Sequence, residues 1–174
     1  NHVNIMTSTD LGAVLNVSGN AYIQHADNSD TLTLECTDAD TNSGPNLRLY
    51  RNSANPVQND LLGNIQWEGR NNNSQDVIFA EMRSQIETTT DDSEDANFKW
   101  STMVGGTLRD RLSLNANTTV FNDDSIDVDF RVESNGNANM LFVDGGNNRV
   151  GIGTNSPAHA LDVNGSLSSN GNEN

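Results

Sequence analysis

Apolar and polar residues alternate along most of this chain with a period of two, and helical periodicity is nearly absent. In Leu47-Arg-Leu-Tyr-Arg51, Leu47 and Leu49 share a face. Ile65 and Trp67 do so in the stretch Gly63–Gly69, with Asn64, Gln66 and Glu68 pointing away. Phe98 pairs with Trp100, and Leu108 with Leu112 and Leu114. Val128, Phe130 and Val132 line up against flanking charges in Asp127–Glu133. Each run predicts an antiparallel strand with one wet face. In the stretch Val77–Ile86, Ile78, Met82 and Ile86 fit a helix at spacing four. With Ala80 they fit a strand equally well, and the β-branched neighbours and the Thr88–Thr90 run favour a long strand. The expected fold is therefore all-β, built from short antiparallel strands and hairpins.

Turn residues punctuate the alternating runs. Asn135-Gly136 is a type I′ hairpin signal. Asp144-Gly145-Gly146-Asn147-Asn148 predicts a second reversal, and Asn42-Ser43-Gly44-Pro45 and Asn170-Gly171 predict others. Leu15-Asn-Val-Ser-Gly-Asn20 is echoed by Leu161-Asp-Val-Asn-Gly-Ser166, with Leu, Val and Gly at matching positions. A repeat in a β-rich chain suggests modules stacked along one axis. We read residues 1–44 as the end of a preceding module with a connecting β shaft. Residues 45–125 read as a globular antiparallel β module, and 126–174 as a hairpin shaft and module junction.

Composition sharpens this reading. Only 33% of the 174 residues are hydrophobic and 5% aromatic, too few for one large core. The apolar residues that exist are tightly patterned, which favours a surface-rich fold completed by partner chains over disorder. An isolated hairpin is barely stable in water, and open edges invite uncontrolled pairing. Wrapping three copies about one axis would bury Val128, Phe130, Val132, Leu141, Val143, Val150 and Ile152 in a shared trimer core, and cyclic symmetry would close the assembly. The net charge of −15 repels phosphate, so nucleic acid and anionic membrane are poor partners. No window is apolar enough for a membrane span, and no signal peptide is visible. The chain does not begin with Met, which suggests a segment of a longer protein or a processed product.

Candidate chemistry is thin. Cys36 is the sole cysteine, in phase with Leu32 and Leu34, and reads as a small buried hydrophobe. Asp38-Ala-Asp-Thr-Asn-Ser-Gly44 opens like a calcium loop, but Ser43 and Leu49 stand where the EF-hand pattern needs Gly and Glu, so a polar turn is the better reading. Asp91-Asp-Ser-Glu-Asp95 reads as a solvated loop, with a cation or contact site as the alternative. Trp67 and Trp100 could stack on a sugar, but their phase favours a core role. His2, His25 and His159 lack ligand spacing. No nucleophile elbow is present, so no enzyme activity, catalytic residue, metal site or cofactor is expected.

The string Val150-Gly-Ile-Gly-Thr-Asn-Ser-Pro157, running on to Leu161-Asp-Val-Asn-Gly165 after the Asn135-Gly136 hairpin, closely resembles the module junctions of bacteriophage tail-fibre shafts, marine phages especially. A looser likeness covers Gly63–Gly69, Val77–Ile86, Phe98-Lys-Trp100 and Leu108–Leu112. The resemblance implies a β-rich homotrimeric fibre, a structural virion protein that mediates or supports host-surface attachment, extracellular after release. Its partners would be further copies of itself, other tail or baseplate proteins, and a host cell-surface glycan or protein receptor. Receptor contact is expected on turns outside the strands: Asn71, Asn72, Asn73, Asp91, Asp92, Glu94 and Asp95. The alternative is a repeat segment of a cellular extracellular adhesin or filament subunit.

Overall fold

A computed structural model gives the fold and describes residue 17 and residues 19–168. By contacts the chain divides into two compact units, Asn1–Arg48 and Leu49–Asn174. The second unit takes in nearly all of the expected 45–125 and 126–174 modules. Among the described residues every regular element is a strand, in keeping with the expected all-β fold.

The first sheet is a five-stranded antiparallel meander of β1 (Leu61–Arg70), β2 (Asp76–Thr88), β3 (Asp95–Val104), β4 (Thr107–Leu114) and β5 (Thr119–Phe121), ordered as in the chain. The ambiguous Val77–Ile86 stretch is its longest strand. The second sheet runs β6 (Phe130–Ser134), β7 (Asn137–Asp144), β8 (Arg149–Ile152) and β9 (Leu161–Val163). Its last pair, β8 and β9, is parallel, not antiparallel as expected. The Val150–Pro157 string makes this possible. Gly151 is buried, and a Cβ there would stand 2.3 Å from the Thr154 carbonyl oxygen, so only glycine lets the chain fold back so closely. Gly153 turns at φ 73, and its N–H donates to the Asn139 carbonyl at 2.9 Å. Arg149 donates to the carbonyl of buried Pro157 at 2.8 Å. The crossover is thus a short packed loop in place of the usual helix.

Several local expectations are corrected. Asn135-Gly136 does connect β6 and β7, but only Gly136 has positive φ, and a type I′ turn needs it at both central residues. Gly105-Gly106, between β3 and β4, meets that requirement with φ of 56 and 81. The alternating runs Leu32–Cys36 and Leu47–Arg51 form no strands. Cys36 is exposed, as are Leu32, Leu34, Leu47 and Leu49. Alternation marks a chain able to pair, but a strand requires a neighbouring strand to hydrogen-bond with. Of the internal echo, Leu15, Asn16 and Ser18 lie outside the described residues. Its glycines, Gly19 and Gly165, share the same φ of 151.

Candidate interaction surface

Each sheet is one layer thick, and the first presents two faces of opposite chemistry. Glu81, Ser101, Asp110 and Ser113 are buried, while Phe142 of the second sheet is the one buried large hydrophobe among the described residues. The Glu81 carboxylate accepts from Gln66 at 2.7 Å, from Asn64 at 3.2 Å and from Arg83 at 3.1 Å. Arg83 reaches across β3 to both oxygens of Asp110 at 3.1 Å. Asp110 also accepts from Ser101 at 2.6 Å and from Lys99 at 2.8 Å. Lys99 continues to Asp123 at 3.1 Å. Burial alone would push the Asp110 carboxyl up, but the bonds from Lys99 and Ser101 and the charge of Arg83 outweigh it and hold the pKa below 3.8. The bond to Asp110 raises the Lys99 ammonium above 10.5. A polar network with its charges matched in this way can be buried at modest net cost.

The opposite face carries the large apolar side chains. Register places Ile65 and Trp67 of β1 beside Met82 and Ala80 of β2, Met82 beside Trp100 of β3, and Trp100 beside Leu112 of β4. Leu112 in turn opposes Phe121 of β5. A bulge in β2 turns Phe79 onto this face, where its ring lies 3.4 Å from the position a Gly69 Cβ would occupy. The same bulge carries Ile78 to the polar side, opposite Glu68, out of its expected phase with Ala80 and Met82. Trp67, Phe79 and Trp100 are half exposed. Their phase with apolar neighbours predicts a core position for both tryptophans. The structure keeps their shared face and leaves both rings half exposed, with Leu49 lying against its Gly63 end.

The trimer-core candidates gather on one face of the second sheet. Phe130 opposes Val143, Val143 opposes Val150, and Val132 opposes Leu141; Ile152 opposes Val163 on that side. Val132 is exposed, while Phe130, Leu141, Val143, Val150 and Ile152 are partly exposed. Val128 precedes β6 and lines a hollow with Phe130. Buried Phe142 lies on the reverse face opposite Gly151, out of phase with Leu141 and Val143, so alternation alone does not mark it. The two apolar faces meet where the Phe121 and Phe130 rings stack at 4.7 Å.

The contact-loop candidates do not converge. Asn71, Asn72 and Asn73 cap the β1–β2 end of β2, and Asp91, Asp92 and Glu94, with Asp95 opening β3, lie at the other end. Thirteen residues of strand separate the two groups, about 40 Å at the usual rise. Asn71 builds its own turn: its side-chain oxygen accepts from the N–H groups of Asn73 at 2.9 Å and Gln75 at 3.0 Å. Likewise Asp40 is occupied within its own turn, accepting from the Asn42 N–H at 2.8 Å and the Asn42 amide at 2.7 Å. Among the described residues, no group of three or more His, Cys, Asp and Glu could hold a metal ion. No protein-family model matches the chain, and no curated protein does.

Proposed function

We propose that this chain is a segment of a homotrimeric bacteriophage tail fibre, a non-enzymatic virion component that carries or supports host-surface attachment. The observation that carries this reading is a pair of single-layer sheets, each with large apolar side chains left in water, in a chain with the sequence signature of a fibre module junction. Single sheets of this kind gain stability by packing on another layer, and identical copies can supply it. The repeated Leu-x-Val-x-Gly string, with matching glycine φ, supports modules joined in series. Attachment would work by avidity: three identical sites on each fibre raise the effective concentration of any weak contact. Those contacts belong to the loops at the two ends of β2 and to a glycan or protein receptor on the host. The test is immuno-electron microscopy of phage particles from the source of the chain, beside an unboiled detergent gel of the recombinant protein. Tail-fibre labelling and a detergent-resistant trimer are expected. Labelling of cell surfaces with unlabelled particles refutes the reading and favours a cellular adhesin or filament subunit.

A further inference from the structure

We propose that the aromatic face of the first sheet is a docking surface for further copies of this same chain, continuous with the apolar face of the second sheet. The proposal rests on the trimeric reading above for its symmetry, and on the following observations for its location. Trp67, Phe79, Phe98, Trp100 and Phe121 are 51%, 45%, 37%, 49% and 53% exposed. At ~150–250 Å² per aromatic side chain, they leave roughly 500 Å² of aromatic surface in water. That alone is roughly 60% of the about 800 Å² per partner that a stable association uses. Relief matches as well as area. A hollow of about 220 Å³ lies between Trp67 and Trp100 with Ala80 and Met82 at its base, and one of about 300 Å³ lies beside Trp100, Leu112, Phe121 and Phe130. Aromatic knobs beside apolar hollows let a surface interlock with a copy of itself.

Charge selects the occupant. Copies with a net charge of −15 repel one another wherever carboxylates meet. The strand positions of this face from Ile65 to Phe121 carry no carboxylate, since Glu68, Glu81 and Asp110 all point to the other side. Arg111, bulged out of the β3–β4 register, lines the larger hollow, as does Asp129 just before β6. Its guanidinium has no ion-pair partner among the described residues, in a chain with 24 acidic residues. A carboxylate of a neighbouring copy fits that position. A glycan is the weaker occupant. Sugars need several polar groups beside a stacking ring to orient their hydroxyls; here Ile65, Met82 and Leu112 flank the rings, and the polar side chains are Thr102 at the smaller hollow and Arg111, Asn122 and Asp129 at the larger.

The test uses the whole chain in a Cys36→Ser background. Mass is read by light scattering, and burial of the indoles by tryptophan emission. The unsubstituted face should give a multiple of 18.8 kDa with blue-shifted emission, and Trp100→Arg should lower the mass to 18.8 kDa with its β-sheet circular dichroism kept. A short bis-maleimide should link Ala80→Cys copies, and should leave Asn64→Cys, on the polar face, unlinked. That pair decides the matter if Trp100→Arg fails to fold. An oligomer that keeps its mass with Trp100→Arg and does not link through Ala80→Cys overturns this face and leaves the fibre reading standing. A monomer with solvent-exposed indoles overturns both. Emission that shifts on adding host-surface oligosaccharide, with the indoles still accessible in the oligomer, gives the face to a glycan and overturns the proposal.

Discussion

Replacing Asp110 with asparagine probes the polar network with almost no change in volume. The carboxylate accepts four bonds, from Ser101 at 2.6 Å, Lys99 at 2.8 Å and Arg83 twice at 3.1 Å. An asparagine turns a donor toward those donors and removes the charge. Removing one partner of a buried ion pair costs about 3–5 kcal/mol. Two features reduce this. Arg83 keeps Glu81 and Lys99 keeps Asp123, each at 3.1 Å, and their side chains are 26% and 20% exposed, so water screens part of the loss. About 2–3 kcal/mol remains. The pH dependence follows from the direction of each shift. The Asp110 pKa is depressed on folding, so its contribution is present above 3.8 and is lost as pH falls through the lower folded value. The Lys99 pKa is raised, so its contribution is full below 10.5 and is lost as pH rises through the higher folded value. Urea unfolding at fixed protein concentration, across a pH series, should show a constant gap between wild type and Asp110→Asn from about pH 5 to pH 9. The gap should close in acid, and alkaline loss should be smaller in the variant. A gap under about 0.5 kcal/mol at neutral pH, or one that persists unchanged in strong acid, refutes the account of a buried, matched network.

Three further outcomes are expected. Gly151→Ala drives a methyl to 2.3 Å from a backbone oxygen, whereas Gly106→Ala meets nothing within 4 Å and bears only the strain of φ 81. Thermal unfolding should therefore show a loss of about 1–3 kcal/mol for the first, larger than the roughly 1 kcal/mol of the second; equal losses would contradict the packed crossover. Phe142→Ala should cost about 3 kcal/mol by denaturant titration, because this ring is buried between Gly151 and Arg131 of its neighbouring strands. Asn71→Ala removes an acceptor shared by the Asn73 and Gln75 N–H groups, so hydrogen exchange at the β1–β2 tip should speed up while stability falls by about 1 kcal/mol.

The sequence by itself determined what can be read from one strand at a time. Alternation in Gly63–Gly69 and Asn97–Met103 settles strand identity and which residues share a face, because side chains of a strand alternate sides whatever it pairs with. Asp144-Gly145-Gly146 announced its reversal because Asp144 accepts from the Asn147 N–H at 2.7 Å within the turn itself. Tertiary structure decided everything that depends on a neighbour. Alternation in Leu32–Cys36 and Leu47–Arg51 looks the same on paper, yet neither run forms a strand. The bulges at Phe79 and Arg111 each set one extra residue against a facing strand, which no single run discloses. They turn Ile78 and Leu108 to the polar side, Leu108 against its expected phase with Leu112 and Leu114, and bring Phe79 and Arg111 to the aromatic face. Most telling is which side of the first sheet holds its buried side chains. Hydrophobicity alone predicts that Trp67 and Trp100 are inside, but burial is a property of what lies across the sheet. Here the buried side chains of the first sheet are on its polar side, where Arg83 and Lys99 close over Glu81 and Asp110, and the aromatic side faces water.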